Sequence, residues 1–169
     1  MRKIFLVTLA LLVIGSANLF DTKNFFGVEN FVDAQSKILQ EEVSASENFA
    51  EEVLYYVNLE REKVGVKPLK LSPELMESAE VRAEEITQEF SHTRPDGSQC
   101  FTAVKIPYRY VGENIAAGQS SPEEVVESWM NSQGHRENIL NPSFKYLGLG
   151  YAYNEYSTYK NYWVQLFMG

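Results

Sequence analysis

Apolar residues recur at intervals of three and four in three stretches of the chain, the spacing that places them on one face of a helix. The first stretch covers about residues 47–64. Gly65 follows it as a residue that readily takes the positive φ found at helix ends. The apolar positions are Phe49, Val53, Tyr56 and Val57. This pattern predicts a first helix that buries that face.

A clear helix start follows. Ser72 can cap the helix, Pro73 suits the first helical position, and Glu74 favours the positive end of the helix dipole. An apolar stripe then runs down to Phe90 and consists of Leu75, Ala79, Ala83 and Ile86. Because two of these four side chains are alanines, we expect another element to pack closely against this helix.

A third helix is predicted from Ser121. Pro122 again suits the first helical position, and Glu124 completes a capping box with the serine. Gly134 is its expected end. The predicted buried face consists of Val125, Val126, Trp129 and Met130. Trp129 is therefore expected to be a core residue.

The end of the chain changes to the alternation that is typical of strands. Residues 146–153 place large apolar side chains on one face and Gly148 and Gly150 on the other, and residues 159–167 form a second, aromatic-rich strand. With residues 154–158 as the turn, the two strands predict an antiparallel hairpin. Its glycine face can accept a helix at close range.

The middle of the chain, residues 91–120, contains no long periodic run. It is predicted to be rich in loops, with one short strand at about 108–111. Helices combined with a terminal antiparallel hairpin give an α+β layered domain, which is the fold class that these patterns indicate.

The N-terminus has the order of a secretory signal peptide. The basic residues Arg2 and Lys3 precede an apolar run at 4–14, and small residues end at Ala17, the candidate cleavage site. The run is shorter than the ~20 residues that cross a hydrocarbon core. We therefore expect cleavage, export and no transmembrane segment in the mature chain; an uncleaved anchor is the alternative.

These observations divide the chain into three parts. Residues 1–17 are the predicted signal peptide, and residues 18–45 a partly disordered tether with a short helix at about 35–43. Residues 46–169 form the predicted domain, which is long enough to bury a core without disulfides.

Charge and cysteine content narrow the classes of partner. The net charge is −8, and removal of Arg2 and Lys3 with the signal peptide would make it −10. Such a surface disfavours nucleic acid, whose binding depends on Lys and Arg. The single cysteine, Cys100, cannot form an internal disulfide, and the sequence assigns it no functional role.

The chain has two histidines, His92 and His135, and both lie among polar and turn residues. Glu113 lies between them in the sequence, preceded by a glycine. Spacing alone does not show whether the three meet. On that evidence the simpler interpretation of each histidine is a solvent-exposed or capping side chain, and that of the glutamate a solvated charge.

Several motifs occur in a characteristic order: NLER at 58–61, LKLSPEL at 69–75, SHTRPDG at 91–97, GENIA at 112–116, Trp129 with GHRENIL at 134–140, and LGLG at 147–150. Together they resemble the bacterial, SCP-like branch of the CAP superfamily, which comprises the cysteine-rich secretory, antigen 5 and pathogenesis-related 1 proteins. The resemblance covers about residues 50–169. It implies a three-layer α-β-α sandwich with an antiparallel sheet.

The resemblance also implies a central cleft with two histidines and two acidic residues, which in some members binds zinc or another divalent cation. By motif, His92, Glu113 and His135 fill three of these places, as metal ligands or as catalytic residues. The fourth place falls near Ser132, which cannot replace a carboxylate. Three protein ligands would leave an open zinc position, and a metal-free hydrogen-bonded cluster is the alternative.

Three functions follow as expectations. The first is a secreted binding module of the cell envelope or extracellular space, whose partner is a small ligand, a lipid, a wall component or a protein. The second is a metal-assisted or His/Glu-dependent hydrolase of the peptidase or esterase type. The third is a non-catalytic interaction scaffold. The residues by themselves leave open whether the protein is an enzyme.

Overall fold

The structure, a computed structural model, describes the backbone of residues 22–169 and the side chains of 32–38, 40 and 48–169. The predicted signal peptide therefore lies outside the described residues. The chain divides after Val43 into two compact units, of which the second is Ser44–Gly169. In the part that the structure describes, no helix combines the length and the apolar character needed to cross a membrane.

The first helix is much longer than predicted. Helix α1 spans Thr22–Lys63, so residues 22–45 of the predicted tether are helical where a short helix at 35–43 was expected. Apolar periodicity reports burial rather than helix formation, and the described side chains at 32–38 are exposed. The stretch contains no proline and several good helix formers, which favour a helix without requiring an apolar repeat. Gly65, with φ +72°, follows the helix end as predicted.

The remaining elements follow in the order strand, helix, short 3₁₀ helix, strand, two helices and hairpin. They are β1 (Lys70–Leu71), α2 (Pro73–Ile86), a 3₁₀ helix (Cys100–Ala103), β2 (Val111–Ala117), α3 (Pro122–Asn131), α4 (Gln133–Ile139), β3 (Tyr146–Tyr153) and β4 (Asn161–Met168). The predicted caps are present, since Ser72 Oγ accepts the Leu75 amide proton and Ser121 Oγ accepts that of Glu124.

Two predicted positions are wrong. The strand at 108–111 begins only at Val111 and runs through Ala117, because pairing with the whole length of β4 stabilises it. Gly134 does not end the third helix. That helix ends at Asn131, Ser132 has extended backbone, and Gly134 lies near the start of α4.

The described strands form one sheet in the order β1-β3-β4-β2. The three long strands are antiparallel, as predicted, and the two-residue β1 adds a parallel edge that makes the sheet mixed. Helices cover both of its faces, which gives the three-layer α-β-α sandwich of an α+β domain.

Alternation along β4 divides its side chains between two cores. Trp163 and Phe167 pack on the face shared with α1, α3 and α4, whereas Val164 and Leu166 pack on the face covered by α2. Trp129, on α3, is 1% exposed in the first core, which confirms its predicted role.

Helix α2 lies directly on the glycine face of β3, the close approach that the alanines and glycines predict. A Cβ atom at Gly150 would overlap the backbone carbonyl of Ala79, and one at Gly148 that of Leu75. Both contacts are to helix backbone, which cannot give way as a flexible side chain can. The spacing between α2 and the sheet is therefore set by these two glycines.

The substitution Gly150→Ala should destabilise the domain by about 2–3 kcal/mol, because the added methyl group would push α2 away from the sheet. Gly134→Ala is the matched control: no atom lies within 4 Å of its added Cβ, and its φ is not positive. We expect the control to be neutral or slightly stabilising. Urea denaturation of both variants measures this, and equal midpoints would contradict the packing argument.

Candidate functional site

The candidate site is organised around Glu113 on β2. Residues 113 and 114 point to opposite faces of the sheet, so that the carboxylate lies on the α2 face with Ile115. The Glu113 side chain is 1% exposed, which makes it a buried charge that requires partners.

Arg82 of α2 supplies the first partner and is itself fully buried. Its Nε donates to Glu113 Oε2 at 2.8 Å, and one terminal nitrogen reaches Glu113 Oε1 at 3.4 Å and the Ser91 carbonyl at 2.7 Å. The other terminal nitrogen donates to Glu85 at 2.6 Å. Arg82 therefore joins the helix, the strand and the loop that carries His92.

Glu85 is held from a second side as well. Arg94, in the loop after His92, donates to both of its carboxylate oxygens at 2.6–3.1 Å. Arg94 Nη1 also donates to the hydroxyl of Thr102, which lies in the 3₁₀ helix. The result is an alternating row of charges, Arg94, Glu85, Arg82 and Glu113, that fixes the loop around His92.

The second partner of Glu113 is His92, whose Nδ1 lies 2.8 Å from Glu113 Oε1. The side chain of His92 is 56% exposed although the carboxylate beneath it is buried. An ionised carboxylate only accepts hydrogen bonds, so Nδ1 must carry the proton in this contact. Nε2, which has no hydrogen-bond partner among the described residues, then presents its lone pair.

The hydrogen-bond partners of Glu113 determine its pKa. Burial by itself would raise the pKa of the carboxyl group, but the hydrogen bonds from His92 and Arg82 outweigh burial and hold that pKa below its ordinary value. Glu113 is therefore ionised at neutral pH, which is the state that accepts both hydrogen bonds.

His135 lies in the first turn of α4 and is partly buried. Burial and the positive charge that His92 can carry both lower the pKa of His135, so its ring is neutral at pH 7. The interaction of the two imidazoles indicates that they share one region. The grouping of His135 with Glu113 as ligands of one ion stays a prediction.

An amide network fixes α4 beside β2. Asn138 Nδ2 donates to the Glu113 carbonyl at 3.3 Å and to Asn114 Oδ1 at 2.9 Å. Asn114 Nδ2 in turn donates to the His135 carbonyl at 3.1 Å and to Gln165 Oε1 at 3.0 Å. The helix that carries His135 is thereby tied to the strand that carries Glu113.

A second set of possible metal-ligating atoms includes His92 and the buried Cys100. Ligand atoms of His92, Cys100 and Glu113 lie within 4.8 Å of one another, a group that could hold a metal ion. The Cys100 thiol is buried, and burial together with the charge of Glu113 raises its pKa to about 12. It is protonated at neutral pH unless a metal displaces the proton.

Sequence reasoning identified His92, Glu113 and His135, and the structure places the first two in direct contact. It missed Arg82, Glu85 and Arg94, together with the neighbouring thiol of Cys100. A signal was present for Arg82, which falls on the apolar stripe of α2, three residues after Ala79 and four before Ile86. A cation at such a position must be buried and paired.

Comparison with known proteins gives a consistent result. The family described as the cysteine-rich secretory protein family, CAP, matches residues 54–167. The uncharacterised protein YkwD of Bacillus subtilis strain 168 is 40% identical over 126 residues, which are 72% of this chain and 47% of YkwD. This chain thus spans about half the length of that relative.

Solved structures agree on the fold. An extracellular protein containing a SCP domain from Bacillus anthracis strain Ames matches with a TM-score of 0.60 and 27% identity, over 70% of this chain and 39% of that one. A crystal structure of NaASP2 with Zn²⁺ matches with a TM-score of 0.54 over 72% of this chain and 80% of that one. Its identity of 16% shows similarity of fold alone.

Proposed function

The chain belongs to the CAP family of cysteine-rich secretory proteins, and from this we propose that it is an exported binding module. In this proposal His92 and His135 hold a divalent cation, and that cation or the residues around it engage a ligand or partner outside the cell. Export is supported by the signal-like N-terminus and by the extracellular relative from Bacillus anthracis.

One observation carries the metal-binding part of the proposal. Glu113 accepts a hydrogen bond from Nδ1 of His92, and the ring is 56% exposed with Nε2 free of described partners. Histidine ligands of metals characteristically bond a carboxylate through the nitrogen that does not bind the metal. Glu113 then orients the ligand, and the metal-ligating role predicted for its own carboxylate is not needed.

His135 suits the role of second ligand. Its lowered pKa keeps the imidazole neutral at pH 7, the form that coordinates a metal. Imidazole nitrogens are common ligands of zinc, and when bound this ion would polarise a ligand group or lower the pKa of its water. The crystal structure of NaASP2 with Zn²⁺ supports the choice of ion.

The buried group with Cys100 suits a metal less well. A cation there would lie beside the Arg82 guanidinium, whose Nε is 2.8 Å from Glu113 Oε2. It would also have to displace the protons of His92 Nδ1 and of a thiol whose pKa is about 12. The exposed Nε2 requires neither change, so it is the favoured ligand atom.

Zinc titration by calorimetry tests the proposal. His92→Ala and His135→Ala should each weaken zinc binding by at least about tenfold, and Glu113→Gln by about 10–100-fold through loss of ring orientation. Cys100→Ser is the matched control, expected to change the affinity less than about twofold because its sulfur is not a ligand in this arrangement.

Two results would contradict the proposal in different ways. Unchanged zinc binding in both histidine variants would show that the metal does not bind through His92 and His135. Loss of binding in Cys100→Ser, with the fold intact by circular dichroism, would place the metal in the buried group instead.

The nucleophilic side chains near the His92–Glu113 pair are unsuited to hydrolysis through a covalent intermediate, which favours a binding function. The Cys100 thiol stays protonated because its pKa is raised to about 12. Ser91 Oγ accepts the Thr93 amide proton at 3.0 Å and makes no described contact with His92. His92 could still activate water, and loss of a hydrolytic activity in Glu113→Gln would be the sign of that role.

A further inference from the structure

A cavity of about 340 Å³ lies at the end of the sheet where β3 begins and β4 ends, and it is separate from the residues of the His92 site. Its walls include Tyr108, Arg109, Lys145 and Tyr146. The volume is at the small end of the range typical of ligand pockets, about 300–1,000 Å³. This volume is large enough for a single small ring.

Backbone hydrogen bonds hold the walls in place. The amides of Arg109 and Tyr110 both donate to the Gly169 carbonyl, at 3.2 and 3.1 Å, and the Gly169 amide donates back to Tyr110. On the opposite wall, the Lys145 amide donates to the Met168 carbonyl at 2.8 Å. The cavity is thus formed by the fold before any ligand arrives, which reduces the cost of binding.

The charge of the cavity is opposite to that of the chain. Arg109 and Lys145 are exposed, and neither makes an ion pair with any described residue, although the net charge of the chain is −8. The Arg109 guanidinium lies over the Tyr110 ring at 5.3 Å, which limits its freedom. Two unpaired cations on an acidic protein favour a ligand with a negative charge.

The aromatic walls specify what else the ligand carries. Tyr108 and Tyr146 line the cavity and are 44% and 40% exposed, so each has apolar ring surface and a hydroxyl available to a ligand. A tyrosine combines apolar contact area with a polar tip. A sugar ring has the matching combination of C–H faces and hydroxyl groups.

We propose that this cavity binds a saccharide unit carrying one negatively charged substituent, a carboxylate or a phosphate. Arg109 and Lys145 bind the charge, and Tyr146 with Tyr108 contacts the ring. Polymeric nucleic acid is a poor fit because the chain as a whole repels it. The cavity is independent of the proposed metal site, because the residues that line it include neither His92, Glu113 nor His135.

The test uses four probes with the full chain: glucuronic acid, glucose 6-phosphate, neutral glucose and inorganic phosphate. Binding is followed by NMR through the backbone amide signals of residues 108 and 146. The two charged sugars should bind at least about tenfold more tightly than glucose or phosphate, with an affinity that falls as salt is added.

Two double variants that each remove two positive charges test whether the ligand binds in the cavity. Arg109→Gln with Lys145→Gln should weaken glucose 6-phosphate binding at least about fivefold, because the charge-assisted contacts are lost. The matched control is Lys37→Gln with Lys160→Gln, two exposed lysines that do not line the cavity; Lys160 precedes β4, whose other end lies at the cavity. The control should leave the affinity unchanged.

Three results would overturn the inference. Absence of signal changes up to about 10 mM of either charged sugar would remove the site. Equal binding of phosphate and glucose 6-phosphate would leave an anion site without saccharide recognition. Equal loss of affinity in the cavity pair and the control pair would show that overall charge, not the cavity, attracts the ligand.

Discussion

Replacing Arg82 with methionine is expected to destabilise the domain by about 3–5 kcal/mol at pH 7, because the substitution leaves Glu113 charged and buried without its cation. The side chains of Arg82 and Glu113 are 0% and 1% exposed, so water cannot replace the lost hydrogen bonds. The loop at Ser91 and the carboxylate of Glu85 also lose a donor. Urea denaturation measures the change.

The pH dependence of this variant identifies the cause. In the natural chain the pKa of Glu113 is lower in the folded than in the unfolded state. Its ionised form therefore stabilises the fold above the unfolded pKa of about 4.3, and this stabilisation is lost as the pH falls below that value toward the folded pKa. Without Arg82, burial dominates and raises the pKa of Glu113. The penalty of Arg82→Met should then shrink between pH 7 and pH 5, as the carboxyl group takes up a proton.

A double variant tests the effect of the buried Glu113 charge at neutral pH. Arg82→Met with Glu113→Gln removes the buried charge, so it should be more stable at pH 7 than Arg82→Met alone. If the double variant were instead less stable, or if the penalty of Arg82→Met were constant from pH 7 to pH 5, the ion pair would not be the source of the effect.

Arg61→Met is expected to lower the free energy of unfolding by about 3–5 kcal/mol. Here the groups left without a donor are backbone carbonyls rather than a carboxylate. Arg61 is fully buried and donates to the carbonyls of Lys67, Ile139, Asn141 and Phe144 at 2.6–3.2 Å. Ile139 is the last residue of α4, so the cation also lies at the negative end of that helix. Methionine fills the volume but satisfies none of the four oxygens.

Arg136→Met is the control for this prediction. Arg136 is exposed and donates to one carbonyl, that of Met130, at 2.8 Å. We expect a change within about 0.5 kcal/mol, as for most surface substitutions. Thermal unfolding of the two variants side by side checks the difference, and a similar small loss in both would refute the role assigned to Arg61.

The sequence predicted those elements for which local chemistry and burial agree. The Ser72 and Ser121 caps, the strand at 146–153 and the glycine face of that strand follow from residue types at fixed spacing, and all are present. The 42-residue length of α1 could not be predicted in the same way, because the apolar pattern does not continue before residue 47.

The site was predicted in part. His92, Glu113 and His135 followed from the family resemblance, and their spacing in the chain carries no information about contact. Arg61 and Arg82 could have been recognised, because each falls on the buried stripe of its helix, four residues after Val57 and three after Ala79. Cys100 gave no such signal, since its contact with Glu113 depends on how the loop after α2 folds back.

His92 lies at the end of a chain of supporting contacts. Glu85 and Glu113 hold Arg82, Arg82 holds Glu113 and the Ser91 carbonyl, and Glu113 holds one nitrogen of the imidazole ring. Because a site built on buried and paired groups keeps its geometry, His92 can present Nε2 in one fixed direction.

The central claim is that Glu113 fixes the tautomer of His92, with the proton on Nδ1 and the lone pair on Nε2. Long-range ¹H–¹⁵N NMR of the histidine rings at neutral pH measures this directly. We predict a protonated Nδ1 and an unprotonated Nε2 for His92, with the Nε2 signal shifting when zinc is added and the preference weakening in Glu113→Gln. A His92 ring protonated on Nε2, or one whose tautomer is the same in Glu113→Gln, would contradict the account.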